Sequence, residues 1–273
     1  MELVEKELIK YLKSIGLEVH TSTKARGHQG FYLKNRIDIS KNIPKNRIMP
    51  TLLHEFAHFV HCELEPLMPR NGGSLEVLFD TDNAKQFEKE LITVTHFVDT
   101  NSKCERLEQH KKLIKDRILA YEEIIKSRYP KFMRSKKFKE FDKYIKKSNA
   151  RYLLKYDRVK LVTGVLFKKV QMLSIDNIEK DFCDMPVEFA AYIRLKSCQK
   201  RQARISARIN RLKKYYCSPA ELFARFVEGL YLDDVKVKIS APQTYSRFFQ
   251  LLESNYYRYL PDVIEKFYSP KSL

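Results

Sequence analysis

The sequence predicts an α+β protein that is predominantly helical, with a small β-sheet near its N-terminus and a large helical insertion. Five of the seven glycines lie in the first 73 residues, so the rest of the chain has few of the positive-φ positions that tight hairpin turns need. Apolar residues make up 44% of the chain, which is enough for a sizeable core and excludes wholesale disorder. Residues 83–129 contain no Gly or Pro, which predicts one or two long helices.

Helical and strand patterns follow one another in the N-terminal part. Apolar residues recur at helical spacing in residues 2–15, and alternating apolar and polar residues in 31–40 predict one strand or a short hairpin. A helix of about four turns follows Pro50, because the stretch LLHEFAHFVHCEL has helical spacing. The run 75–79 is predicted to be a further strand.

Prolines mark the helix starts in the rest of the chain, since Pro is tolerated at the start of a helix but not inside one. The lysine-rich residues 131–160 are predicted to form a solvated helical hairpin or an insertion. The predicted elements are then, in order, a long helix in 186–214, a break at 217–219, a shorter helix in 220–230, and one or two final helices in 242–268.

The sequence predicts a cytosolic protein without a membrane span. Apolar runs such as 161–167 are far shorter than the roughly 18 residues that a span needs. The first residues, MELVEKELIKYLKSIG, mix charged and apolar side chains, unlike the apolar region of a secretory signal. The five cysteines are an odd number without CxxC spacing, which argues against a disulfide framework.

The motif that carries chemistry is HEFAH, residues 54–58. Because positions i and i+4 of a helix share a face, His54 and His58 can bind one metal ion from the same side. Glu55 is turned towards the place where a water on that metal would lie, and can accept a proton from it. The alternative is a pair of core histidines that are satisfied by hydrogen bonds.

A catalytic Zn²⁺ needs a third protein ligand. Glu221 begins a short apolar helix behind Ser218-Pro219, and a lone acid in such a run needs a partner, which a metal can provide. Glu188 meets the same description and is the alternative third ligand, with Glu228 behind it. Each of these acids can instead be stabilised by the helix dipole. His61 is predicted to have a supporting or structural role, because a straight helix cannot wrap a third side chain around the metal.

These residues resemble a known group. HEFAH with a distant Glu on a second helix resembles the gluzincin branch of the HExxH zinc metallopeptidases. The strand followed by TLLHEFAH is most similar to the small intracellular zincins of the ImmA/IrrE type. The PxEFA helix, the basic helix and YYCSPAELFARFVE are similar to the metallopeptidase-like domains of phage and plasmid polyvalent proteins. The resemblance covers residues 31–61 and 186–230.

The resemblance implies a zincin-like core that hydrolyses peptide bonds of a protein or peptide substrate. It implies His54, His58 and Glu221 as ligands of Zn²⁺, and Glu55 as the general base. Glu221 follows His58 by 163 residues, so an inserted helical region must lie between them. Three tyrosines of the C-terminal stretch are available to stabilise an oxyanion, and no spacing selects among them: Tyr215, Tyr216 and Tyr245.

The sequence therefore divides into three parts. Residues 1–82 form a zincin part with the strands and the HExxH helix, 83–180 form a helical, lysine-rich insertion, and 181–273 form a helical part that completes the metal site.

Charge provides the second functional signal. Lys and Arg number 52 against 34 Asp and Glu, a net charge of +18, which favours an acidic partner. DNA or RNA contact is expected in the basic segments 194–214 (from Arg194 to Lys214) and 131–160 (from Lys131 to Lys160). The alternative for the first segment is a helix that faces the core and exposes a solvated cationic back.

Two functions from different classes remain. One is a cytosolic zinc metallopeptidase, and the other is a non-enzymatic nucleic-acid-binding protein with a structural zinc. Glu55 favours the peptidase, because a structural site has no use for an acid beside its ligands.

Overall fold

The protein, in a computed structural model, is described over residues 3–24, 29–98, 103–164 and 168–268. Helices account for most of these residues and the strands form small sheets, which confirms the predominantly helical α+β class. The chain divides into two units, one of residues 1–100 with 213–273 and one of residues 101–212. The sequence had placed the boundaries at 82/83 and 180/181.

The first unit combines a small mixed sheet with helices from both ends of the chain. Its elements are α1 (Leu3–Ser14), β1 (Glu18–Thr23), β2 (Gly30–Leu33), β3 (Arg36–Ser40), α2 (Lys45–Leu64), α3 (Met68–Asn71), α4 (Leu75–Leu78), α5 (Lys85–Val98), α10 (Pro219–Ser240), α11 (Pro242–Glu253) and α12 (Leu260–Phe267). The predicted N-terminal helix is confirmed, and so are the two final helices.

The sheet of the first unit has the order β1-β3-β2, with β1 parallel and β2 antiparallel to the central β3. Lys34 and Asn35 join β2 to β3 with φ of 47° and 60°, the positive angles of a tight two-residue hairpin turn. The hairpin alternative for residues 31–40 is therefore confirmed. The sequence missed β1, because Val19 is its one buried residue and no apolar alternation is visible.

The core of the first unit lies where α2, α5 and α10 pack together. Its largest fully buried side chains are aromatic: Phe56, Phe79, Phe223, Phe226, Phe248 and Tyr257. Residues 49–57 of α2 are buried without interruption, so this helix is surrounded by the unit. The most buried helix of the unit is thus the one that carries the HEFAH motif.

Two sequence predictions in this unit were wrong. Residues 75–79 are not a strand, because Ser74 caps α4 by accepting a hydrogen bond from the Val77 amide at 3.3 Å. The motif helix begins at Lys45 rather than at Pro50, which lies inside α2. In addition, α10 continues past residue 230 to Ser240, with a break in its backbone at Asp233.

The second unit, residues 101–212, consists of helices around a two-stranded sheet. Its elements are α6 (Lys103–Arg128), α7 (Lys136–Lys147), β4 (Arg158–Thr163), β5 (Lys169–Ser174), α8 (Ile178–Asp181) and most of α9 (Val187–Tyr216). Its core contains an aromatic cluster of Phe132, Phe141, Phe189 and Tyr192. The long helices predicted in 83–129 and 186–214 are confirmed as α5, α6 and α9.

The sequence predicted a helical insertion and did not predict the hairpin that the second unit contains. Residues 158–174 form the antiparallel hairpin β4-β5, and Gly164 follows β4 with φ of 93°. A single hairpin needs few positive-φ positions, so the scarcity of glycine did not exclude one here. Residues 131–160 contain the single helix α7 and short 3₁₀ turns rather than a helical hairpin.

Within the described ranges, no helix combines the length and the apolar character that crossing a bilayer requires.

Candidate metal centre

The two histidines of the motif face the same side of α2. His54 and His58 are separated by one helical turn, and their ring centroids lie 5.0 Å apart with the planes nearly perpendicular. His54 is buried, and the His58 side chain is 13% exposed. Both rings are therefore largely shielded from solvent, and His58 is the more exposed of the two.

Glu221 of α10 completes the group. Pro219 begins α10 behind Ser218, as predicted, and Glu221 lies in the first turn, where it is 3% exposed. Its Oε1 lies 3.3 Å from His58 Nε2, and its Oε2 lies 3.7 Å from His54 Nε2. One ligand atom from each of the three residues lies within 4.8 Å of the others. The structure thus brings together the three residues that the sequence singled out as ligands.

The group fits a zinc ion. Two imidazoles and one carboxylate are a common protein ligand set for zinc, and tetrahedral geometry separates neighbouring ligand atoms by about 3.3 Å. Each oxygen of Glu221 lies near one ring, at 3.3 Å from His58 Nε2 and 3.7 Å from His54 Nε2, so the three side chains converge on one small volume. Glu221 Oε2 is also buried without a hydrogen-bond partner among the described residues. Such an atom is costly to bury unless something else satisfies it, and a cation would do so.

Glu228 fixes the orientation of His54. Its Oε2 lies 3.1 Å from His54 Nδ1, and since a carboxylate only accepts, Nδ1–H donates and Nε2 keeps its lone pair on the side of Glu221. Arg47 donates to Glu228 at 2.6 Å and Arg225 at 3.1 Å. Glu228 is therefore a support for a ligand rather than a ligand. The sequence offered no signal for the two arginines, because their pairing depends on how α2 and α10 pack.

The charges in this cluster shift its pKa values. Although burial alone would raise the pKa of Glu221, the hydrogen bond with His58 and the charges of both histidines lower it to about 2. Burial alone would lower the pKa of His54, but the hydrogen bond with Glu228 and the charge of Glu221 raise it above its ordinary value. The surroundings therefore keep the Glu221 carboxylate charged, and they make His54 easier to protonate than a free imidazole.

Glu55 is buried beside the group without belonging to it. Burial raises the pKa of Glu55, and the neighbouring His54 and His58 offset part of that increase. Gly30, the first residue of β2, lies directly against this carboxylate. A Cβ atom on Gly30 would come within 3.0 Å of Glu55 Oε1 and 2.8 Å of a Thr51 methyl group. A carboxylate with a raised pKa next to a candidate metal position has the properties of a general base.

Of the three candidate tyrosines, Tyr215 lies at this site. Partial burial of its hydroxyl and the neighbouring Glu221 carboxylate raise the pKa of Tyr215 well above its ordinary value, and Glu55 adds to the increase. Its side chain remains half exposed. Tyr245 donates its hydroxyl hydrogen bond to Asp234 at 3.1 Å instead. Tyr215 is thus a proton donor placed next to the candidate ligands.

The alternative third ligand, Glu188, is in the second unit. Its carboxylate lies 3.6 Å from Arg128 and 3.7 Å from Lys137, so two cations satisfy it there. The structure does not place Glu188 in the metal-binding group. Local sequence could not distinguish it from Glu221, because both acids follow a proline at the start of an apolar helix.

His61 supports the site from a different position. It is fully buried, and its Nε2 lies 3.4 Å from Glu65 Oε2. Burial lowers the pKa of His61 to about 4, so the ring is neutral. Its ring packs against Gly73, where a Cβ atom would come within 2.1 Å of His61 Cε1. The supporting role expected for His61 agrees with this packing.

The loop at Gly72 and Gly73 joins the two halves of the site. Gly72 O accepts a hydrogen bond from the Ala220 amide at 3.2 Å, one residue before Glu221. Gly73 packs on His61 of α2, so the loop contacts both helices that carry the candidate ligands. The Gly-Gly pair was the available signal in the sequence, and it predicted a loop without indicating what the loop contacts.

Comparison with protein-family models, with curated proteins and with solved structures found no match to this chain. The functional interpretation therefore depends on the geometry of the site.

Proposed function

We propose that the protein is a zinc metallopeptidase that hydrolyses peptide bonds of a protein substrate. The observation that carries the proposal is the buried group of His54, His58 and Glu221 with Glu55 beside it. The unpartnered Glu221 Oε2 supports a bound cation, and the raised pKa of Glu55 supports a base. The resemblance to gluzincins, ImmA/IrrE-type zincins and polyvalent-protein domains agrees with this reading, and the proposed location is the cytosol.

The reaction adds one water across a peptide bond and yields a carboxylate and an amine. When bound by His54, His58 and Glu221, zinc supplies a Lewis acid that polarises the substrate carbonyl and acidifies water. Glu55 accepts a proton from the attacking water and then gives it to the leaving amine. Tyr215 donates a hydrogen bond to the oxygen on which negative charge develops.

Strand β2 provides a place for the substrate backbone. In the described part of the chain, β2 pairs with β3 on one side only, and its first residue lies against Glu55. An extended peptide can add to such a free edge through main-chain hydrogen bonds. The absence of a side chain at Gly30 lets this edge approach the general base closely.

The alternative, a structural zinc site, is less well supported. Structural zinc sites are usually closed by four protein ligands, often cysteines. Among the described residues, the group that could hold a metal contains three ligands and no cysteine. The half-exposed Tyr215 and the raised pKa of Glu55, both next to the group, favour a catalytic site over a structural one.

The first prediction concerns Glu55. Glu55→Gln keeps the shape of the side chain and removes its basicity, so the variant should bind one zinc per chain and lose turnover by about 10²–10⁴-fold. The measurement is peptide release from a denatured proteome, analysed by mass spectrometry, together with metal content. Glu63→Gln is the matched control, because Glu63 is an exposed carboxylate of the same helix.

The same assay tests the ligands. Glu221→Ala should reduce bound zinc strongly, whereas Glu188→Ala should leave it unchanged. The proposal fails if zinc-loaded wild type releases no more peptides than Glu55→Gln. It also fails if His58→Ala keeps the zinc content of the wild type.

A further inference from the structure

Nearly all of the net positive charge of the protein lies in one unit. Residues 101–212 contain 30 Lys and Arg against 13 Asp and Glu, a net charge of +17. The other 161 residues contain 22 against 21, a net charge of +1. A drift of the whole chain towards lysine would have spread the excess over both units. The excess is therefore a property of the second unit.

The basic side chains of this unit form exposed rows on its helices. On α7 the exposed lysines at spacings of three and four share one face, and they are Lys136, Lys139, Lys143 and Lys147. On α9 the exposed row is Lys200, Arg204, Arg208 and Arg211. The apolar sides of these helices, with Phe141, Ile145 and Ile209, are buried.

The hairpin β4-β5 extends the basic surface. Lys160, Lys168 and Lys169 are exposed on it. On one face, Lys160 is paired with Met172 and Val162 with Val170, and these three apolar side chains are 51–59% exposed. The ribbon thus presents basic and apolar groups together.

Asp157 ties the hairpin to α9. This residue directly precedes β4, and it accepts hydrogen bonds from Ser197 at 2.5 Å and Arg201 at 2.8 Å. Burial alone would raise the pKa of Asp157, but these two hydrogen bonds lower it. The nearby charge of Arg204 lowers it further. The start of the ribbon therefore lies beside the part of α9 that carries the basic row.

We propose that residues 101–212 form a duplex-DNA-binding unit whose contact surface is the β4-β5 ribbon and the adjacent basic row of α9. A two-stranded ribbon fits the major groove of B-DNA, where apolar side chains can contact thymine methyl groups. Lysines and arginines beside the groove neutralise phosphates. Neither strand carries an aromatic residue on which unpaired bases would stack, which favours a duplex over a single strand.

A membrane is a poorer fit for this surface. Helices that bind anionic lipid bury an apolar face in the bilayer, whereas α7 and α9 bury their apolar faces within the protein. An acidic protein is also a poorer fit, because the cations are spread over several elements and a uniformly charged polymer can meet all of them. The inference does not depend on the proposed peptidase activity.

The experiment is a titration of the full chain with a fluorescein-labelled, mixed-sequence DNA duplex over about 50–200 mM salt. The ribbon variant replaces Lys160, Lys168 and Lys169 with Gln, and the helix variant replaces Arg204, Arg208 and Arg211 with Gln. The matched control removes three exposed helix lysines of the first unit, Lys6, Lys10 and Lys85.

Each second-unit variant should reduce the slope of log affinity against log salt by up to about 2.7, while the control keeps the wild-type slope. His58→Ala should bind DNA like the wild type, which separates this inference from the metal site. Equal slopes in the variants and the control would overturn it. Tighter binding of the matching single strand, or of phosphatidylserine vesicles, would overturn it as well.

Discussion

Glu221 and Glu228 are both buried carboxylates on the same face of α10, two turns apart, and their surroundings give them different tasks. Glu228 is neutralised by Arg47 and Arg225 and holds His54 Nδ1. Glu221 has no arginine partner in the described residues, and one of its oxygens has no hydrogen bond. The arginines therefore neutralise Glu228 and leave Glu221 as the acid that could hold a cation.

This difference predicts how zinc binding depends on pH. Zinc requires a neutral imidazole, so a proton on His54 competes with the metal. Because the pKa of His54 in the folded protein lies above 6.5, zinc affinity should increase with pH until the pH exceeds this pKa. Glu228→Gln replaces the charged acceptor of His54 Nδ1–H with a neutral amide, which weakens the interaction that raises this pKa, so the increase should occur at lower pH. Its affinity at high pH should be about 10–100-fold weaker, because the ring is held less well.

Competition with a zinc chelator between about pH 5 and 9 measures this dependence. Glu253→Gln, on α11, serves as the control. A pH profile of Glu228→Gln that coincides with that of the wild type would show that Glu228 does not control His54. The same pKa shift also affects the stability of the metal-free protein. A raised His54 pKa stabilises the metal-free fold below pH 6.5, and this contribution disappears as the pH rises through the folded-state pKa.

At the scale of elements, the Gly72-Gly73 loop contacts both α2 and α10. Gly73 has φ of +75° and no room for a Cβ atom beside His61. We expect Gly73→Ala to lower the free energy of unfolding by about 1–2 kcal/mol for the backbone and by about 1–3 kcal/mol more for the clash. Zinc affinity should also fall, because the loop holds the first turn of α10.

Gly16→Ala is the matched control for this loop. Gly16 has a similar φ of +94°, but no heavy atom lies within 4 Å of its Cβ position. This variant should show the backbone cost alone and keep its zinc. Denaturant unfolding of the two metal-free variants gives the comparison, and equal losses would mean that the contact with His61 is unimportant.

The elements that the sequence predicted are those whose pattern is local. The apolar spacing in residues 2–15 and the proline before α10 identify helices, and the i, i+4 spacing of His54 and His58 identifies a shared face. In contrast, β1 is held by its pairing with β3 and carries little apolar signal of its own. The choice of Glu221 over Glu188 depends on which unit each helix belongs to, and no local pattern encodes that.

At the scale of the whole molecule, the two units have separate cores with no buried residue in common. We therefore expect two unfolding transitions in calorimetry. Phe226→Ala should lower the free energy of unfolding of the first unit by about 3–5 kcal/mol, and Phe132→Ala should lower that of the second unit by the same amount. Zinc should raise the free energy of unfolding of the first unit alone, by about 2.7 kcal/mol at a free zinc concentration of 100 times its Kd.

The two alanine variants act as controls for each other. Phe132→Ala should leave zinc binding unchanged, because Phe132 and the ligands lie in different units. A single transition that both substitutions lower equally would contradict this prediction.

The order of the site along the chain has a consequence for synthesis. The ribosome delivers His54 and His58 first, then the whole of residues 101–212, and only afterwards Glu221. A nascent chain therefore has two of the three candidate ligands for most of its translation, and Glu221 cannot join them until the second unit has been made. An N-terminal fragment that ends before residue 213 carries the complete HEFAH motif yet lacks the helix that carries Glu221, so we expect a truncated message to yield a protein without the candidate metal centre.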